Sequence, residues 1–175
     1  MPPGITVTLV ALVGAAAWSD WRTGRIPNWI PLPAALLGIG LQSWHGGWAG
    51  AVQSLTGAGL GLAIFMAFYL LGGMGAGDVK LFGAVGSLVG PQSLVLVFVI
   101  TGLLGGAAAL LLAAARGKLR ITLQRTAERM SGLGRLQWKE VRETTLAEEP
   151  DSLRLPYGVV IAGGTLLSLP VILIR

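Results

Sequence analysis

The sequence predicts an all-α membrane protein with six transmembrane helices. Of the 175 residues, 53% are hydrophobic and 12% are charged, and the mean hydropathy is +0.71, which is too apolar for a soluble domain of ordinary composition. Four stretches lack Asp, Glu, Lys and Arg altogether: 1–19, 26–77, 81–115 and 155–174. Each can cross a bilayer at least once, because a spanning helix needs about 20 apolar residues. We expect residues 1–175 to form one integral-membrane domain.

The first apolar run is expected to be a retained helix, because Arg22 and Arg25 follow it instead of preceding it as in a signal peptide. A second helix is expected to start at Asn28, which is a good N-cap residue, and to run to about residue 42. The stretch "SWHGGW" then predicts a turn whose tryptophans, Trp44 and Trp48, suit the membrane interface.

Four further helices are expected. The third covers 50–71, where Gly57, Gly59 and Gly61 would allow close helix contact. A short fourth helix covers 79–89 and ends at Gly90-Pro91, the fifth covers 92–115, and the last covers 156–174 after a polar cytoplasmic loop, 116–154. Residues 119–130 of that loop read either as an amphipathic helix on the anionic inner leaflet or as a solvated basic segment.

The basic residues indicate the topology, because cytoplasmic loops of membrane proteins collect Lys and Arg. Of the thirteen basic residues, Arg22, Arg25, Lys80 and nine in 116–154 fall in odd-numbered connections, and the thirteenth is the terminal Arg175. Both termini are therefore expected outside and three loops inside. In a membrane protein, a net charge of +5 reflects the excess of Lys and Arg in the cytoplasmic loops, and no nucleic-acid partner is expected.

Composition removes most kinds of reactive site. The chain has no cysteine and one histidine, His45, which the topology puts on the outer face. A disulfide framework, a cysteine nucleophile, a metal site and a Ser/His relay are thus all disfavoured. We expect no cofactor and no metal.

Two acids remain in the apolar part of the chain. Six of the eight carboxylates lie in 116–154, which leaves Asp20 at the end of the first helix and Asp78 at the start of the fourth, both at the inner boundary. Intramembrane acids are costly and usually functional. Two carboxylates at one low-dielectric site tend to share a proton, which gives the acid and the base that aspartic proteases use to activate water.

The stretch "GGMGAGDVK" surrounds Asp78 with glycines. Without Cβ atoms, Gly75 and Gly77 can take φ > 0 and let an extended substrate strand approach. Purely structural roles also fit the two aspartates: Asp78 could N-cap a helix that starts at Val79, and Asp20 could pair with Arg22 or Arg25. Arg22, Arg25 and Lys80 also suit snorkelling anchors at the boundary.

Three stretches resemble motifs of the type IV prepilin peptidases, a family of intramembrane aspartic endopeptidases. "GAGD" at 75–78, followed by Val79 and Lys80, is similar to the family's Gly-x-Gly-Asp motif, and "DWRTGRIPN" at 20–28 resembles its Asp motif ending in Ile-Pro-Asn. "RLPYGVVIAGG" at 154–164 resembles the family's Pro-aromatic-Gly entry into the last helix. The three occur in the family's order and cover nearly the whole chain.

The resemblance implies that Asp20 and Asp78 are the catalytic pair, with Gly75, Gly77, Lys80, Pro156, Tyr157 and Gly158 around the substrate or in the loops that carry the site. It implies pilin-like precursors as substrates, cut after a short basic leader at the cytoplasmic face of a bacterial or archaeal membrane. Larger members have a cytosolic insert with paired cysteines and methylate the new terminus. This cysteine-free chain resembles the compact peptidase-only branch of tight-adherence (Flp-type) pili, so methylation is not expected.

Two other functions fit membrane acids. A small proton-coupled transporter would favour acids near the bilayer midplane and related broken helices, whereas both acids are expected at one face. A non-catalytic pilus-assembly factor would tolerate the loss of both aspartates. Tyr157 could line the active site or simply belong to a Pro-Tyr-Gly turn that enters the last helix.

Overall fold

The structure is a computed structural model that describes residues 1–70, 74–115 and 156–174. Four helices make up this part of the chain: α1 (Pro3–Thr23), α2 (Pro31–Leu70), α3 (Ala76–Ala115) and α4 (Tyr157–Ile174). All four are long and apolar enough to cross a membrane, so the prediction of an all-α membrane protein is confirmed. The polar loop 116–154 and its predicted amphipathic helix lie outside the described residues.

Helix α2 folds back on itself at Gly47, whose φ of 56° and ψ of −139° are not helical. A Cβ placed on Gly50 would overlap the carbonyl oxygen of Gln42. Residues eight apart in a continuous helix would be separated by about 12 Å, so the chain must reverse between them. The predicted turn "SWHGGW" is therefore correctly located but too long, because helical structure continues on both sides of Gly47.

Helix α3 reverses in the same way at Gly90, where φ is 76° and ψ is 169° and where Pro91 follows. A Cβ on Gly86 would lie 3.1 Å from Cδ2 of Leu94, eight residues further along the chain. The predicted break at Gly90-Pro91 is confirmed. The predicted start of this helix at residue 79 is wrong, since α3 begins at Ala76.

Side chains from both halves of α2 satisfy the carbonyl groups at the Gly90-Pro91 break. Pro91 has no N–H, so the carbonyl of Ser87 lacks its usual helical partner. The Ser54 hydroxyl, fully buried, donates to that oxygen at 2.7 Å, and Gln42 Nε2 donates to the carbonyl of Leu88 at 2.9 Å. These bonds matter because an unpaired carbonyl is costly where water is absent.

We expect Ser54→Ala to destabilise the protein by about 1–3 kcal/mol, because it leaves the buried Ser87 carbonyl unpaired. The matched control is Thr56→Ala, since Thr56 is exposed and its hydroxyl bonds only within its own helix, to Val52 at 2.7 Å. Unfolding titrations in mixed micelles measure both variants. Equal stability of the two would contradict the capping role of Ser54.

The first half of α3 forms the centre of the bundle, and every residue from 81 to 88 is buried. The second half of α2 packs against it with a stripe of small residues that ends at Phe65: Gly50, Ser54, Gly57, Gly61 and Phe65. A Cβ on Gly57 would overlap the Gly86 carbonyl, and one on Gly61 would lie 2.7 Å from the Phe82 carbonyl oxygen. The predicted close contact is thus confirmed for Gly57 and Gly61, but Gly59 faces open space.

Helices α1 and α4 complete the bundle, and α4 contacts both α1 and α3. α1 buries one face that runs the length of the helix: Ile5, Leu9, Leu12, Val13, Ala16 and Asp20. Within the described residues, the outer surface is apolar and carries five exposed tryptophans, Trp18, Trp21, Trp29, Trp44 and Trp48. Such a surface suits contact with lipid chains and interfacial headgroups.

Candidate active site

Asp20 lies in the last turn of α1, on the face that packs into the bundle, and is only 8% exposed. Gly24 ends the helix in the left-handed conformation, with φ of 62°, and its N–H donates to the Asp20 carbonyl at 2.8 Å. The predicted position of Asp20 at the close of the first helix is confirmed. Helix geometry therefore aims this carboxylate inward, where apolar residues occupy the same face.

The Asp20 carboxylate meets the N-terminus of α4. The Gly158 N–H donates to Asp20 Oδ2 at 2.7 Å, and a helix N-terminus favours a carboxylate at that place. A Cβ on Gly158 would lie 2.9 Å from both Cβ and Oδ2 of Asp20, so this residue must be small. The alternative pairing of Asp20 with Arg22 does not form, and the Arg22 guanidinium instead lies 5.7 Å from the centre of the Trp18 ring.

Asp78 is the third residue of α3 and is 8% exposed. Its Oδ2 accepts the Gly75 N–H at 3.0 Å, while its own N–H donates to the Gly75 carbonyl at 3.1 Å. This reciprocal pair is the arrangement by which an acid in the first turn reaches back to the N-cap. Asp78 therefore stabilises the start of a helix, as the capping alternative predicted. That helix starts at Ala76, however, instead of at Val79.

Gly75 and Gly77 do not adopt the conformation expected of them. In the described residues, positive φ occurs at Gly24, Gly47 and Gly90, and not at Gly75 or Gly77. Gly77 is needed for a different reason: a Cβ there would lie 3.1 Å from Ile26 Cβ and 3.2 Å from the Ile26 carbonyl oxygen. The absence of a side chain at this position thus permits close packing of α3 on the connection between α1 and α2.

The structure brings Asp20 and Asp78 to one end of the bundle although 58 positions separate them in the sequence. Ile26 touches Gly77, the neighbour of Asp78, and also Gly158, which binds Asp20. Both carboxylates therefore lie beside residues that contact the same side chain, Ile26, at the same end of the bundle. An acid and a base could therefore serve one bound substrate here.

Three other predicted site residues lie nearby. The Lys80 ammonium donates to Asn28 Oδ1 at 2.8 Å, an exposed contact between α3 and the segment before α2. Asn28 thus binds Lys80 instead of capping α2 with its side chain, and α2 begins at Pro31. Pro156 precedes α4 and its carbonyl accepts the Val159 N–H at 3.1 Å, while Tyr157 is the first residue of that helix.

Sequence reasoning missed the contacts of Ile26, which is buried in the connection between α1 and α2. Its only signal was its place in the stretch "DWRTGRIPN" between Asp20 and Asn28. The hydrogen bond between Gly158 on α4 and Asp20 could not be predicted either, because a contact across 138 positions leaves no local sequence pattern.

Known proteins similar to this chain are leader peptidases. The model of the type IV leader peptidase family matches residues 7–110, a range that includes both aspartates. A prepilin leader peptidase/N-methyltransferase of Bacillus subtilis (strain 168) is 37% identical over 114 residues, which are 60% of this chain and 44% of that protein. The chain thus spans less than half the length of this curated relative. No solved structure matches the chain. Since the family model covers more than half of its residues, the chain belongs to the type IV leader peptidase family.

Proposed function

We propose that the protein is an intramembrane aspartic endopeptidase that removes the short basic leader of pilin-like precursors at the cytoplasmic membrane boundary. Family membership supports leader cleavage in general. The observation that carries the catalytic assignment is the pair of buried carboxylates at one end of the bundle, each held by a backbone N–H, from Gly158 and from Gly75. Asp20 and Asp78 are the only acids in the described residues.

The proposed chemistry needs one protonated and one ionised aspartate. The ionised carboxylate takes a proton from water as the oxygen attacks the scissile carbonyl carbon, and the protonated carboxyl gives its proton to the carbonyl oxygen. The tetrahedral intermediate then collapses, the C–N bond breaks, and the amine leaves with a proton from the aspartate that first acted as base. A hydroxyl of the collapsing intermediate returns its proton to the other aspartate, so each carboxyl ends in its initial protonation state, and no cofactor is required for this sequence.

Cleavage without methylation is the second part of the proposal. The relative's name includes N-methyltransferase, but the present chain aligns with only part of that protein and lacks cysteine. The purified protein in detergent is incubated with a pilin precursor and with a methyl donor, and the new N-terminal peptide is analysed by mass spectrometry. We expect an unmethylated terminus after leader removal. An uncut precursor would refute the peptidase proposal, whereas a methylated terminus would refute only its second part.

We further propose that α2 and α3 each cross the membrane twice, so that six spans place both termini outside. A 40-residue helix would be about 60 Å long, twice the ~30 Å hydrocarbon core. The reversals at Gly47 and Gly90 divide each into two shorter spans, of which 76–89 is below the usual spanning length. Exposed tryptophans lie near the Gly47 turn and, separately, near the end of α1, as expected for two interfacial belts.

The topology predicts opposite labelling of two introduced cysteines. His45→Cys is expected to react with a membrane-impermeant maleimide in intact cells, and Arg25→Cys is expected to react only after permeabilisation. Both positions are exposed, and the natural chain has no cysteine to give background. Labelling of both in intact cells, or of Arg25→Cys alone, would contradict the proposed orientation.

A further inference from the structure

The connection between α1 and α2, residues 24–30, buries two isoleucines, Ile26 and Ile30, and Ile26 lies beside the site. Ile26 is 8% exposed, while its neighbours Arg25 and Asn28 are exposed. An isoleucine in this short connection could have turned to lipid. Instead it points into the bundle at the end where the two aspartates lie.

Ile26 spans the gap between two glycines, one next to each aspartate. Its Cβ lies against Gly77, 3.1 Å from where a Cβ of that residue would be, and Gly77 directly precedes Asp78. The other end of the side chain, Cδ1, lies against Gly158, 3.0 Å from where a Cβ of that glycine would be. Gly158 in turn donates its N–H to Asp20. One side chain therefore separates the backbone that holds Asp20 from the backbone that holds Asp78.

The connection is fixed on both sides of Ile26. The hydroxyls of Ser19 and Thr23 donate to the Arg25 carbonyl at 2.9 and 3.1 Å, which ties the connection to α1. On the other side, Lys80 binds Asn28 and ties it to α3. Ile26 is thus held between the two helices that carry the aspartates and is not free to turn away.

From this arrangement we propose that Ile26 is a positioning residue, a spacer that sets the separation between the Asp20 and Asp78 carboxylates. The inference rests on the proposed function for its catalytic consequence, but its geometric content is independent of catalysis. A misplacement of about 1 Å in a catalytic group can lower a rate about 100-fold. Shortening the spacer should therefore alter the chemical step more than the binding of substrate.

The kinetic test compares Ile26→Ala and Ile26→Val with the parent. We expect Ile26→Ala to lower kcat for precursor cleavage about 100-fold with little change in KM. Ile26→Val removes only Cδ1, so it should lose the contact with Gly158, keep the one with Gly77, and give an intermediate kcat. The matched control is Ile172→Ala: Ile172 is also 8% exposed but lies near the far end of α4. Equal losses of kcat in Ile26→Ala and Ile172→Ala would overturn the proposal.

A second measurement does not depend on proteolysis. Asp20→Cys and Asp78→Cys are combined in the otherwise cysteine-free chain, and copper phenanthroline is added to form the disulfide. The chain is then cut at a specific site between α1 and α3, and the cross-linked fraction is followed over time by gel mobility. Adding Ile26→Ala is expected to change this rate by about threefold or more, because the rate depends steeply on sulfur separation. Adding Ile172→Ala should leave it unchanged.

The two measurements separate the possible failures. An unchanged cross-linking rate with Ile26→Ala, or no cross-link in any background, would overturn the spacer role. If Ile26→Ala changed the cross-linking rate but Asp20→Asn and Asp78→Asn each cleaved the precursor normally, the spacer role would stand and the proposed peptidase mechanism would be refuted.

Discussion

Asp20→Asn and Asp78→Asn are each expected to lower cleavage of a pilin precursor by about 10³-fold or more, while the protein still inserts and folds. Asparagine keeps the size and shape of the side chain but can neither take up nor release the proton that the mechanism moves. Acid–base groups contribute about 10²–10⁴-fold to a rate, and the two aspartates act as one unit. The double variant should therefore be no slower than the slower single variant.

Cleavage is measured in detergent as leader removal from the precursor, with a thermal melt of each variant to verify folding. Each Asn side chain can still accept the backbone N–H, from Gly158 or from Gly75, so large losses of stability are not expected. Glu143→Gln makes the same kind of chemical change in the polar loop and should cleave normally. Near-normal activity of either Asn variant would refute the catalytic pair and favour a non-catalytic role in pilus assembly.

Gly57→Ala is expected to destabilise the bundle by about 1–3 kcal/mol, through a single added methyl group. Its Cβ would overlap the Gly86 carbonyl, and a Cβ on Gly86 would in turn overlap the Gly57 carbonyl. Both obstacles are backbone atoms in helices, so the methyl fits only if α2 and α3 move apart, and overpacking of this kind costs about 1–3 kcal/mol. The movement would also displace the helix that carries Asp78.

The control for this prediction lies two residues away in the same helix. Gly59 has nothing within 4 Å of its would-be Cβ, so Gly59→Ala should be neutral or stabilising by up to about 1 kcal/mol through helix propensity. Unfolding titrations in mixed micelles give both values, and residual cleavage shows whether Asp78 has moved. If Gly57→Ala were as stable as Gly59→Ala, the close contact between the two helices would be refuted.

The sequence was sufficient to predict the parts of the fold that depend on local chemistry. Gly90-Pro91 breaks α3 because proline lacks the N–H that the helix needs, and Gly47 provides a positive φ. Charge-free runs identified the apolar helices, and scarcity of acids in those runs singled out Asp20 and Asp78. Their catalytic roles remain predictions, to be tested by the variants described above.

Long-range packing could not be predicted in the same way. Gly57, Gly59 and Gly61 look alike in sequence, yet only Gly57 and Gly61 face α3, because the contact depends on the rotation of the helix. Gly75 and Gly77 suggested positive φ and room for a substrate strand. Instead, Gly77 packs tightly against Ile26, and the Asp78 carboxylate extends the helix back to Ala76 by accepting the Gly75 N–H.

The enclosure of residues 81–88 has a consequence for how the protein responds to its lipid environment. A helix that touches protein on every side does not contact the surrounding acyl chains, so its length need not match the bilayer thickness. A mismatch between protein and bilayer thickness should therefore first change the tilt of the outer helices. The segment that carries Asp78 can therefore be shorter than a normal span. Reconstitution in lipids of different chain length should change the stability of the outer helices more than the position of this aspartate.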